Sequence, residues 1–183
     1  MFTRFQLLSG NFLRFVRNPH SPQYPQISGK QKLVEVGFYY AVLAVLGGNI
    51  LWQLVEILKS LDVFNALNES NNGEKIWLTV LSAILVAPVV EEAVSRLFLG
   101  YIRHKSYFRW MYYLSSLLFG WVHIITYDYD QSHYLYIPVI TGVQTFIGFL
   151  LGYVRIIYGF WYGVMLHAIY NSFMIIELYW LGF

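Results

Sequence analysis

The chain reads as an all-α, polytopic bundle of membrane-spanning helices. Three observations lead there: its composition, its five long apolar stretches, and three short polar clusters embedded within those stretches. Of 183 residues, 57% are hydrophobic, 20% aromatic and only 12% charged, with a mean hydropathy of +0.49. A soluble domain carries about twice that charged fraction, roughly 25%. Cysteine is absent, which excludes disulfides, zinc thiolates and thiol nucleophiles. A net charge of +2, spread over loops rather than gathered on one face, gives no footprint for nucleic acid.

Residues Met1 to Asn18 place Phe5, Leu8, Phe12 and Phe15 at helical spacing, while Arg4, Arg14 and Arg17 interrupt any apolar run. That pattern predicts a helix lying on the membrane surface. A cleaved signal peptide needs an uninterrupted apolar core of at least about seven residues, which this segment lacks. Pro19, Pro22 and Pro25 then separate it from the first span, so residues 1–32 read as an interfacial, cytoplasmic segment.

A spanning helix needs about 20 predominantly apolar residues. The stretches Leu33 to Leu58, Ile76 to Ile102, Tyr107 to Thr126, Tyr134 to Val154 and Ile156 to Phe183 meet that requirement. The last, at 28 residues, is either strongly tilted or broken in two. Between the first two, Ser60 to Lys75 collects Asn65, Asn68, Asn71, Asn72 and Gly73 as a solvated loop. No repeat of 20 to 50 residues is visible. The expectation is one integral membrane domain over 1–183, with a motif-bearing core at 76–183.

Charge sets the orientation. Five basic residues precede the first span (Arg4, Arg14, Arg17, Lys30, Lys32), three lie between the second and third (Arg103, Lys105, Arg109) and one follows the fourth (Arg155), against two (Lys59, Lys75) on the other side. The positive-inside rule puts the amino terminus in the cytoplasm, and the setting is a cell membrane. Tyr and Trp near the span ends, among them Trp110, Tyr112, Tyr134, Tyr136, Tyr179 and Trp180, fit interfacial anchors.

The clusters are Glu91-Glu92-x-x-x-Arg96, Phe119-x-x-x-His123 and His167-x-x-x-Asn171. Ionisable groups are expensive at bilayer depth and mark function there by default. Glu92 and Arg96 are four apart with the acid first, the favoured helical ion pair. Glu91 is rotated by about 100° from Glu92 and lacks that partner, so Glu92 reads as the orienting acid and Glu91 as the one free for chemistry. Pro88 removes a backbone donor just before the acid pair and loosens the helix there.

His123, with Phe119 four residues earlier on the same face, is by itself better explained as a packed, hydrogen-bonded helix contact than as a catalyst. The His167 and Asn171 pair is by itself equally compatible with interhelical hydrogen bonding. Together the three clusters supply one free acid, two imidazoles and an amide from three helices, the inventory for activating water and stabilising an oxyanion. A buried, purely structural network is the competing reading. His20, His104 and His133 read as solvated. Gly148-x-x-x-Gly152 and Gly159-x-x-x-Gly163 read as sites of close helix approach.

The ordered set resembles the CAAX proteases and bacteriocin-processing enzymes, glutamic-type intramembrane endopeptidases. Their pattern is Glu-Glu-x-x-x-Arg, then Phe-x-x-x-His on the next span, then His-x-x-x-Asn or Asp on a later one. Glu91-Glu92-Ala93-Val94-Ser95-Arg96, Phe119-Gly120-Trp121-Val122-His123 and His167-Ala168-Ile169-Tyr170-Asn171 match it in order and type, and Gly148 to Tyr153 followed by Trp161 is similar to the family's last block. Leu97 departs from it, standing where many members have Gly.

The resemblance implies that Glu91 and His123 activate water, that His167 and Asn171 stabilise the oxyanion, and that Arg96 holds the acid pair through Glu92. It implies a membrane-bound or lipidated peptide or protein as substrate and no metal or other cofactor. Two Glu and two His could instead ligate zinc, although His-Glu-x-x-His is absent. A non-proteolytic scaffold or bacteriocin self-immunity protein, acting on a membrane-protein partner, is the alternative from another class.

Overall fold

The computed structural model describes residues 2–21, 26–65, 68–69 and 76–178. Pro22, Pro25, Asn71, Asn72, Gly73, Lys75, Tyr179 and Trp180, each given a part above, lie outside the described residues.

The chain is almost entirely helical. Helix α1 (Phe2–Arg17) is amphipathic, as its spacing requires, but it spends its apolar face on the protein. Leu8, Phe12 and Phe15 are buried, with Phe12 and Phe15 edge-on to Tyr153 and Phe15 edge-on to Tyr112. Leu7 and Leu13 face outward. The surface helix is therefore docked on the bundle, because aromatic rings of that size gain more from a shaped aromatic pocket than from lipid alone. Arg4 binds the buried carboxylate of Glu35, which also accepts from Tyr158 at 2.6 Å.

Helix α2 runs without interruption over Gly29–Ser60, widening into a π-helical turn at Glu35–Tyr40. Among the described residues it is one of two helical stretches long and apolar enough to cross a membrane, the other being Gln131–Ile157. The stretch from Ile76 divides into α3 (Ile76–Leu81), a π-helical turn (Ser82–Val86), α4 (Ala87–Arg96) and the short α5 (Leu99–Ile102). Arg155 reaches the break between α4 and α5, donating to the Leu97 carbonyl at 3.1 Å. Helix α6 (Phe108–Val122) passes into a 3-10 turn (His123–Thr126), so His123 follows the helix rather than lying inside it. A 3-10 turn (Gln131–Tyr136) leads into α7 (Ile137–Ile140) and α8 (Gly142–Ile157).

The last expected span starts later than its hydropathy suggests. Ile156 and Ile157 complete α8, Gly159 turns the chain at φ 112°, and α9 covers Phe160–Ile176. Gly159 is thus a turn residue, chosen because that left-handed conformation strains any side chain, and not a packing glycine. Gly148 and Gly152 do pack: a Cβ on Gly148 would lie 2.8 Å from the Ser116 carbonyl oxygen, and one on Gly152 would lie 2.9 Å from the Tyr112 ring. Helices α6 and α8 form the most extensive seam, with α9 set against α8, α4 and the second π-helical turn.

The loop after α2 is not simply solvated. Phe64 is buried, and β1 (Asn68–Glu69) pairs antiparallel with β2 (Tyr127–Asp128). His133, expected to be solvated, is 1% exposed. Its Nδ1 accepts from the Asp130 amide at 3.0 Å, and its Nε2 meets the Asn65 carbonyl at 3.0 Å. This clasp joins the two connections at one end of the bundle.

Candidate active site

The three clusters come from α4, the end of α6 and α9, and the structure brings them together. Glu92 and Arg96 lie one turn apart on the buried face of α4, both 0% exposed. Arg96 Nη1 donates to Glu92 Oε1, and its guanidinium lies 4.0 Å over the Phe119 ring. A desolvated guanidinium needs both partners, since a buried charge without compensation costs several kcal/mol. Glu91 points a third of a turn away, with its side chain 34% exposed.

Glu91 Oε2 lies 3.7 Å from His167 Nε2 and 3.9 Å from His123 Nε2. His123 Nδ1 is 2.6 Å from the Phe119 carbonyl oxygen. A carbonyl only accepts, so Nδ1 carries the proton, and in the neutral ring Nε2 presents a lone pair towards Glu91. His167 Nδ1 meets Glu92 Oε1 at 3.2 Å, and a carboxylate accepts, so this Nδ1 carries a proton as well. The Phe119 ring holds both imidazoles, 4.7 Å from His123 and 5.7 Å, edge-on, from His167.

Asn171 is held by a backbone defect. In the π-helical turn the Ala87 amide donates to Ser82, leaving Ala83 without its α-helical donor. Its π-helical donor would be residue 88, a proline with no N–H. Asn171 Nδ2 fills the gap, donating to the Ala83 carbonyl at 2.8 Å. The second N–H of the amide is left for another acceptor.

His123, His167 and Asn171 line a cavity of about 960 Å³ between α2, α8 and α9. Glu91 reaches the same imidazoles without being part of that lining. Glu91 Oε2 and Glu92 Oε2 are buried oxygens with no hydrogen-bond partner in the protein. Gly163 gives Glu92 room, because a Cβ there would lie 3.3 Å from Glu92 Oε2. Among the described residues, no group of three or more His, Asp or Glu is arranged to hold a metal ion.

Sequence reasoning missed several of these parts. The bond from Glu92 to His167, the Phe119 ring beneath Arg96 and the space left by Gly163 all cross between helices that spacing cannot relate. The Ala83 carbonyl was equally out of reach of spacing, because in an α-helix Pro88 would free the Ile84 carbonyl and only the π-helical register moves the gap to Ala83.

The profile of the Rce1-like family, type II CAAX prenyl endopeptidases, matches residues 73–173, more than half of the chain and all three clusters. No curated protein and no solved structure matches the chain. The chain therefore belongs to the Rce1-like family of type II CAAX prenyl endopeptidases, a membrane-embedded family of proteases.

Proposed function

We propose that the protein is a glutamic-type intramembrane endopeptidase that hydrolyses a peptide bond in a membrane-associated or lipidated peptide or protein. It does so as a single five-span domain of the cell membrane, with its amino terminus in the cytoplasm. The observation that carries the reading is that the Nε2 atoms of His123 and His167 both face one oxygen of Glu91, at 3.9 and 3.7 Å.

Two acceptors about 4 Å apart suit the two O–H bonds of one water, each directed at an acceptor about 2.8 Å from the oxygen. Glu91 Oε2 and His123 Nε2 are such a pair. As the water attacks the scissile carbonyl carbon, Glu91 takes its proton and His123 orients it by accepting the second hydrogen bond. The carbonyl π electrons move to oxygen, where the Nε2–H of protonated His167 and the spare N–H of Asn171 meet the oxyanion. Glu92 assists because its carboxylate accepts the Nδ1–H of that imidazolium. Collapse expels the amine, which takes the proton held by Glu91, and the carboxylate is restored.

The test compares cells carrying wild type and Glu91→Gln at matched protein levels. Peptide termini present only with wild type support proteolysis. Identical membrane peptidomes, together with an unchanged phenotype, would point to the scaffold or self-immunity role.

A further inference from the structure

We infer that the catalytic cavity opens on the extracytoplasmic side of the membrane, and that the substrate is an exported, membrane-associated polypeptide cut at an internal bond. This rests on the endopeptidase reading and adds to it the side of entry and the class of substrate.

The cavity occupies one end of the bundle. Its lining comes from the part of α2 nearer Ser60, through Gln53 and Glu56, from the start of α8 through Gln144, and from the end of α9 through Met174. His123 lies just past the end of α6, and Tyr127 of β2 joins the lining. All these positions adjoin the end closed by the β1–β2 pair and the Asn65–His133 clasp. The opposite end carries the connections around Arg103, Lys105, Arg109 and Arg155 and the amino-terminal basic residues. Nine lysines and arginines belong to that end and, among the described residues outside the spans, Lys59 alone belongs to the cavity end. A basic bias of that size retains its end in the cytoplasm, which leaves the cavity facing outward.

Charge inside the cavity gives the second half of the inference. Among the described residues, its lining includes Glu56 and Glu177 and no Lys or Arg. Lys59 sits against Glu56 at 2.9 Å, whereas Glu177 has only the neutral Asn49 amide at 3.0 Å. A substrate docked by its terminal carboxylate would meet like charge with no cation to hold it. An internal segment meets acceptors instead, including the buried and unpartnered Gln144 Oε1.

The experiment has two arms. Because the chain has no cysteine, the single replacements Gln131→Cys, Gln53→Cys and Lys105→Cys, all at exposed positions, can be labelled with a membrane-impermeant maleimide on intact cells. Gln131→Cys and Gln53→Cys are expected to react at once, and Lys105→Cys only after permeabilisation. The reverse pattern, or a Gln53→Cys that reacts only after permeabilisation, overturns the outward-facing cavity. This arm needs no activity, so it decides the side even if proteolysis fails. In the second arm, termini lost in Glu91→Gln cells should lie in exported or outward-facing segments and be internal bonds. Losses confined to cytosolic chains overturn the substrate class, and no loss at all overturns both it and the endopeptidase reading.

Discussion

Glu92 Oε1 stands 3.2 Å from His167 Nδ1 while accepting the Arg96 guanidinium. One buried oxygen thus neutralises a cation on its own helix and fixes an imidazole on another. Glu92→Gln keeps an acceptor oxygen and nearly the same shape but removes the charge, leaving Arg96 buried without compensation. Breaking a buried pair in this way costs about 3–5 kcal/mol. The variant is expected to melt several degrees lower and to lose turnover. An unchanged melting temperature in the same detergent would show that the pair carries no stability.

Sequence spacing found the helical class, the separation of the two acids and the order of the clusters, because those depend on contacts within one helix. It did not find what depends on neighbours. His133 follows Asp128 and Asp130 in a polar run, and only the returning Asn65 carbonyl makes it a buried residue. Phe12 and Phe15 have the same spacing whether they face lipid or the Tyr153 ring. Hydropathy starts the last apolar stretch too early, because Ile156 and Ile157 are as apolar as the helix that follows and only Gly159 marks the turn.

Chelation separates the two ways in which Glu91, His123 and His167 could activate water. Zinc would need ligand atoms at about 2.0–2.2 Å from a shared ion, whereas a carboxylate base needs only the water. Exhaustive chelation of purified protein is expected to leave peptidase activity intact. Loss of activity that returns on adding zinc would establish the metal route in place of the glutamic one.

The carboxylate contacts of Asp130 beside the clasp should resist acid. Hydrogen bonds from Ser132, then Asn65, hold the Asp130 carboxyl down to about 2, below its ordinary value near 4. A depressed carboxyl contributes stability that is present above its unfolded pKa and is lost as pH falls through the folded one. The bonds that Asp130 accepts from Ser132 and Asn65 should therefore persist at pH 5 and weaken only between about pH 4 and pH 2. The carboxyl carbon shift of Asp130, followed by NMR, checks this, and a midpoint near 4 would show that the bonds from Ser132 and Asn65 do not hold it.

Pro88 and Asn171 should be coupled, because both act on the Ala83 carbonyl. Asn171→Ala removes its donor, and leaving this half-buried carbonyl unpaired costs at most about 1–3 kcal/mol. Pro88→Ala supplies a new backbone N–H in the π-helical register, which competes with Asn171 for the same oxygen. Proline near the start of α4 is well tolerated, so replacing it should leave stability unchanged or higher. Turnover should fall with little change in KM, because the freed amide no longer holds its direction towards the oxyanion. In the double variant the new amide takes over the carbonyl, so most of the stability lost in Asn171→Ala should return. Strictly additive melting shifts across the four proteins would show that the proline and the asparagine do not share this oxygen.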